Sequence, residues 1–517
     1  MFSSPIIICL AVIIVCAYYI WRLLKWAWFK PRFLETCLRK QGLKGSPYSQ
    51  PPYGDIPQLI RSIKEAKSKP INLSDDPIPR ILPFFLDSIN KYGENCFVWL
   101  GPKPLVIITD AELIKEIHSK QDVYRKNTHP NPQTKLLAEG LVLLEGDKWA
   151  KHRKLINPAF HSEKLKHMLP AFYLSCNEML AKWEDVIPEG GSGELDVWPY
   201  LEKMSSEVIS RTAFGSSYEE GQNIFELQKE QAEHVMEASR KLYIPGLRFL
   251  PSKRNRRMYE IEKIVQTSIK SIIDKRLSEM RAGEPSKEDL LGILLESNCK
   301  EIEEHGDQDF GMTLTEVINE CKLFYFAGQE TTSVLLVWTM ILLSTHGHWQ
   351  EQAREEVIKL FGKNKPDLDG LNKLKTVTMI LNESLRLYPP VATAGRKVHK
   401  DTTLGKLNLP AEVMCLVPTI LIHRDKKLWG DDATEFKPER FSEGVSKAMG
   451  GKMSFFPFGW GSRVCIGQNF AMLEAKMALA MILQRFCFQL SPSYTHAPFA
   501  VVTVHPQHGA PLILQRL

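Results

Sequence analysis

The sequence predicts a mainly α protein with a smaller β region, preceded by one N-terminal transmembrane helix. Three observations carry this. Residues 2–21 hold no charged side chain. Stretches 111–120, 163–186, 205–240 and 255–283 repeat apolar residues at helical spacing, with charged faces between them. Strand signals are few, the clearest being apolar runs at 96–100 and 105–109, split by Gly-Pro-Lys-Pro as in a hairpin.

In chain order, the anchor comes first. Twenty residues at 1.5 Å each reach ~30 Å, the thickness of a bilayer's hydrocarbon core. No basic segment precedes the apolar run and no small-residue cleavage site follows it, which argues against a cleaved signal peptide. Arg22, Lys25, Lys30 and Arg32 follow instead, with Trp21, Trp26, Trp28 and Phe29 as interfacial aromatics. The positive-inside rule then leaves the bulk of the chain in the cytosol. Residues 22–57 read as a basic, aromatic interface running into a linker rich in turn formers (Gly42, Pro47, Pro51, Pro52, Gly54, Pro57). Residues 58–517 read as one large domain. Within it, Ser192 falls in the loop 189–194, and the longest helix starts at the capping box Thr313-x-x-Glu316 and runs to about Thr345. Its apolar stretch 334–343 is too short to span a membrane, so a central buried helix is expected.

Of 517 residues, 44% are hydrophobic and 24% charged, which excludes wholesale disorder and fibrous structure. A net charge of +6 is too weak a bias to indicate nucleic acid. None of the ten cysteines forms a C-x-x-C pair or a zinc pattern with histidine, so a reducing compartment fits best. His346/His348 and His505/His508 have metal-like spacing, but each pair lacks a third ligand and reads as loop.

The strongest chemical signal is Phe-Phe-Pro-Phe-Gly-Trp-Gly-Ser-Arg-Val-Cys-Ile-Gly at 455–467. Cys465 has Phe458 seven residues before it, Gly461 and Arg463 upstream and Gly467 two residues after. A helix with Phe470, Leu473, Met477 and Met481 on one face follows. A cysteine ahead of a helix N-terminus feels the dipole's positive end and free amides, both favouring thiolate. The glycines let backbone pass close to something flat, and Arg463 can pair with a carboxylate. These are the features a thiolate beneath a haem needs.

With these residues in place, the chain resembles the haem-thiolate monooxygenases, the cytochromes P-450, over essentially all of it after the linker. The resemblance implies that family's fold, haem b as cofactor, and Cys465 as axial ligand of its iron, with Phe458 and Gly467 lining the cofactor. Trp149 and Arg153, four apart on one helix face, match the pair that holds a haem propionate, and Arg396 and Arg463 match further propionate ligands. In Ala-Gly-Gln-Glu-Thr-Thr at 327–332, Gly328 and a Thr331 hydroxyl bonded to the Ala327 carbonyl would loosen the central helix. Glu330 and Thr331 resemble the acid–alcohol pair that delivers protons to dioxygen as it is reduced. Glu383, Arg386 and Arg440 match a buried structural cluster, although Glu383 and Arg386 taken alone would read as a surface ion pair. Implied partners are O2, a small apolar substrate, the membrane and an NADPH-dependent flavoprotein reductase, since the chain lacks a dinucleotide-binding fingerprint of its own. Nucleic acid is not among them. Lys148, Lys151, His152, Lys154, Lys164 and Lys166 offer a basic docking face or simply a solvated one.

The implied location is the endoplasmic reticulum membrane. Motifs at 243–246, 250–255, 282–285 and 324–332 resemble the plant clan that includes secologanin synthase and triterpenoid and gibberellin oxidases. That implies an isoprenoid substrate, contacted from 129–144, 324–327, 391–395 and 501–504. Two other readings fit part of the pattern: a peroxide-rearranging haem enzyme needing no reductase, and a membrane-tethered binding protein in which Cys465 is merely buried.

Overall fold

The capping box at Thr313 forms as expected and fixes the axis of the body. Glu316 N–H donates to the Thr313 hydroxyl (3.3 Å), Thr313 N–H donates to the Glu316 carboxylate (2.9 Å), and the helix runs Leu314–Thr345. In this computed structural model, which describes residues 4–126, 131–215, 218–244, 247–284 and 288–517, most of that helix is buried. Helices Trp198–Phe214, Lys253–Arg281, Lys375–Leu387 and Gln468–Arg485 pack against it around one hydrophobic core. Contact with Trp198–Phe214 is close at Gly328, where a Cβ would lie 2.5 Å from Ile209 Cδ1. Any side chain there would force the Ile209 side chain to shift.

The run expected at 205–240 is two helices, Trp198–Phe214 and Tyr218–Ser239. Gly215 takes φ +61° and caps the first of them in the left-handed conformation, which helical periodicity does not register. The hairpin is present as Phe97–Leu100 and Lys103–Ile107, antiparallel. It opens a five-stranded sheet continued by Met414–Val417, Ala394–Val398 and Tyr124–Lys126. The last two strands pair with Lys126 opposite Arg396. Ser192, expected in a loop, begins the strand Ser192–Asp196, which pairs with Pro511–Arg516 near the C-terminus. A five-residue strand whose partner lies some 300 residues away leaves little local signal. His505 likewise sits in a short strand, Val504–Pro506, with its ring stacked on Trp198. His346 joins two helices and His348 lies in the second, Gly347–Phe361.

The exposed apolar helix Ser4–Leu24 continues through a π-helical turn, Lys25–Phe29, into Lys30–Lys40. That last helix buries Leu34 and Leu38, and Lys30 pairs with Glu412. Beyond it the chain lies on the sheet: Ser46 N–H bonds Phe97 O (3.0 Å), and the Asp55 carboxylate accepts from Trp99 N–H (2.8 Å). Phe2, Ser3, His129, Pro130, Pro245, Gly246 and Pro285, which entered the expectations above, lie outside the described residues.

Candidate functional site

The cysteine loop is shaped by its own backbone. Cys465 N–H donates to Phe458 O (2.8 Å) and Gly459 N–H to Phe456 O (2.9 Å). Gly461, at φ +69°, passes so near that a Cβ would stand 3.0 Å from His118 O. The helix Gln468–Arg485 starts just after, with Gly467 at its N-cap, so the thiol meets the positive end of the helix. Phe470, Leu473, Met477 and Met481 are buried along its face as the sequence predicts.

Cys465 itself is accessible, yet Phe455, Phe456 and Phe470 around it are buried. It fronts a cleft of about 330 Å³, walled also by Arg153, Asn157, Phe160 and Ile466, rather than bulk water. This enclosure raises its thiol pKa, while the Gly467 amide, Lys126 and Arg153 pull it back down. All three opposing groups stabilise the thiolate.

On the central helix, Ala327 is exposed and Gly328–Thr331 are half-exposed, between the fully buried Tyr325 and the buried Thr332. The Thr331 hydroxyl donates to Ala327 O at 2.9 Å. The helix nevertheless continues unbroken through 327–332, contrary to the expected loosening. A carbonyl oxygen has two lone pairs, so the hydroxyl adds a bond without displacing the helical one. Glu330 accepts from the Thr503 hydroxyl at 2.6 Å.

Basic groups converge near the cysteine. Arg153 donates to Val464 O (2.9 Å). Arg463 lies 4.1 Å above the Trp149 ring, donates to Leu144 O (2.7 Å) and pairs with Glu145. Arg396 is 9% exposed. Lys126, opposite it in the sheet, has its pKa pushed down to about 8 by burial and then by Arg396 and Arg463, against Glu145 and Cys465. Arg396, Arg463 and Lys126 share Glu145 as an acidic neighbour, Arg463 also has Asp122, and Arg153 faces Cys465, so the cations near the cysteine outnumber the carboxylates beside them. A flat group with a metal for the thiolate and two carboxylates for these cations fits that donor set. Haem b has both. Lys126 and Glu145 were not predicted, because only the strand register brings Lys126 to Arg396.

Glu383 and Arg386 are both fully buried, which removes the surface-pair alternative. Arg386 donates twice to Glu383 (2.6 and 2.7 Å) and once to His423 O (2.8 Å). Arg440 stands 3.6 Å from Glu383 and pairs with Asp432 at 2.7 Å. His423 Nε2 accepts from Phe456 N–H (3.0 Å), and this joins the charged cluster to the cysteine loop. Burial and Arg386 hold His423 down to about 3, keeping it a neutral acceptor.

The expected basic face is partly neutralised by the chain itself. Lys148 pairs with Glu316 (2.6 Å), Lys154 with Glu301 (2.6 Å) and Lys164 with Glu288 (3.3 Å). His152 does not belong to that surface: it is 1% exposed and bonds Glu320 at 2.6 Å.

Comparison with known proteins agrees with this geometry. A family model described as Cytochrome P450 matches residues 82–507. The chain is 61% identical over 498 residues to Cytochrome P450 CYP72A219 of Panax ginseng, covering 96% of each. It is 59% identical over 497 residues to Cytochrome P450 72A397 of Kalopanax septemlobus, covering 96% of this chain and 95% of the other. Identity to the 7-deoxyloganic acid hydroxylase of Catharanthus roseus is 54% over 515 residues, 99% of each.

Proposed function

Because the chain belongs to the cytochrome P450 family, and is therefore a haem-binding monooxygenase, we propose that it hydroxylates an apolar isoprenoid of plant secondary metabolism, using O2 and electrons from NADPH through a separate membrane-bound flavoprotein reductase. The observation that carries the reading is the accessible Cys465 thiol fronting a half-open cleft, with Lys126 and Arg153 both lowering its pKa. The substrate class draws on the 54% identity to a hydroxylase named for 7-deoxyloganic acid.

Haem, when bound, supplies the O2 activation and C–H oxidation that no amino-acid side chain performs. The chain's residues divide the remaining work. Cys465 holds the iron from the helix side, and the Gly467 amide moderates the charge on its sulfur. Trp149, Arg153, Arg396, Arg463 and Lys126 seat the two carboxylates, while Phe458 and Gly467 leave room for the ring. Thr331, its hydroxyl hydrogen engaged by Ala327 O, offers an acceptor oxygen. Glu330 carries protons inward from solvent. Residues 391–395 and 501–504 shape the substrate side. Glu383, Arg386 and Arg440 brace the cysteine loop and take no part in the chemistry. Glu330 and Thr331 favour this reading over peroxide rearrangement, which needs no proton delivery.

The domain division is 2–21 as signal-anchor, 22–57 as interface and linker, and 58–517 as catalytic domain. The catalytic domain faces the cytosol from the endoplasmic reticulum membrane. The lysines around Trp149 that keep exposed ammonium groups, among them Lys166, contribute to the reductase face.

The test is turnover of recombinant microsomes under ¹⁸O2 with NADPH, with and without added reductase, against a panel of isoprenoids. The reading expects one labelled oxygen in the product, dependent on both NADPH and reductase. Product formed with neither, or without label, would reject it.

A further inference from the structure

Thr503 lies on the turn 501–503 between the strands Pro498–Ala500 and Val504–Pro506, and is 2% exposed. The turn is pinned: Val504 N–H donates to Pro390 O (3.0 Å), and the Trp338 indole donates to Val504 O (2.6 Å). Trp338 and Glu330 belong to the same central helix, so this bond ties the turn to the helix that carries Glu330. A threonine hydroxyl has a single hydrogen to donate. Here it goes to Glu330 Oε1 at 2.6 Å, the length of a charge-assisted bond to a carboxylate.

The neighbours of Glu330 point outward. Glu202, on the helix Trp198–Phe214, interacts electrostatically with Glu330 and is held up in pKa chiefly by burial. It pairs with Lys229 at 2.8 Å, and the Lys229 side chain is 60% exposed. Asp196 also acts on Glu202, and His505, two residues from Thr503, faces Lys229, Lys67 and Glu233 and is held down to about 4 by burial first.

We propose that Thr503 is the positioning residue of the reaction's acid: its hydroxyl holds the Glu330 carboxylate at the turn 501–503, next in the chain to Thr331 and within electrostatic reach of Glu202. This rests on the proposed role of Glu330. In each cycle Glu330 gives up one proton to the reaction and regains one from solvent, and Thr503 keeps its carboxylate in one place throughout. Because the same turn shapes the substrate side, a substrate bearing on Val501 and Val502 also bears on the latch.

The test uses full-length, haem-loaded protein in wild-type, Thr503→Val, Thr503→Ser, Glu330→Gln and Thr503→Val/Glu330→Gln forms. Infrared difference spectra of the ferric enzyme at one pH follow the carboxylate stretching band that is lost in Glu330→Gln. Because the Thr503 hydroxyl donates to that carboxylate, the band is expected to shift in frequency in Thr503→Val and return in Thr503→Ser. In substrate-free turnover with NADPH and reductase, the share of electrons released as hydrogen peroxide is expected to at least double in Thr503→Val. It should return in Thr503→Ser and show no further increase when Thr503→Val is added to Glu330→Gln. An unshifted carboxylate band in Thr503→Val overturns the proposal. If Glu330→Gln leaves the peroxide share unchanged, the role of Glu330 falls instead, whatever the band does. Thr503→Ala gives the same reading should the valine form fail to load haem.

Discussion

Glu474 shows how one buried acid links fold and pH. It lies fully buried on the helix behind the cysteine, where Ser205 Oγ donates to it at 2.8 Å. Burial, the largest cause, pushes its pKa up to about 8, so it is neutral in the folded protein at pH 6. Since the folded value exceeds the unfolded one, its contribution to stability is complete below about pH 4.5 and is lost as pH rises toward 8. Glu474→Gln should therefore cost little near pH 5 and become relatively more stable than wild type as pH rises toward 8. Thermal unfolding of both proteins at several pH values checks this, and parallel curves would contradict it. At this scale the sequence was informative where a residue acts through its neighbours in the chain, as Cys465 does with Phe458, Arg463 and Gly467. It was silent on Lys126, Thr503 and Glu474, whose partners come from distant segments and leave no mark on local spacing.

The element that ties the cysteine loop to the body is the helix Lys375–Leu387, through Glu383 and Arg386. Each charge is out of water and satisfied by the other, by Arg440 and by backbone carbonyls. Removing one partner strands the other, a loss on the order of 3–5 kcal/mol. Glu383→Ala should thus lower stability by about that much and release haem more readily. Chemical denaturation and haem-loss kinetics measure both, and a change under ~1 kcal/mol would place the pair outside the structural frame. The central helix was legible because its cap and apolar run are local. The split at Gly215 and the strand beginning at Ser192 were not. The first depends on one left-handed residue inside a continuous apolar pattern, the second on a partner strand near the C-terminus.

Across the whole molecule, the N-terminal segment has two physical parts. Ser4–Leu24 is exposed throughout its described side chains, whereas Lys30–Lys40 buries Leu34 and Leu38 against the sheet. Deleting residues 2–24 should weaken membrane association while leaving thermal stability close to that of the full chain. Deleting 2–41 should also lower the melting temperature, because two leucines then lose their packing, at roughly 2–5 kcal/mol per leucine at most. Flotation and thermal melts separate the two effects, and equal melting temperatures for both deletions would contradict them. Everything else depends on a thiolate seated in the cleft that the cysteine loop forms with Arg153, Asn157 and Phe160. The most direct measurement is the carbon monoxide difference spectrum of the reduced protein, wild type against Cys465→Ser. A red-shifted Soret band in the wild type and its loss in the variant is the predicted result. The same band in Cys465→Ser would contradict the account.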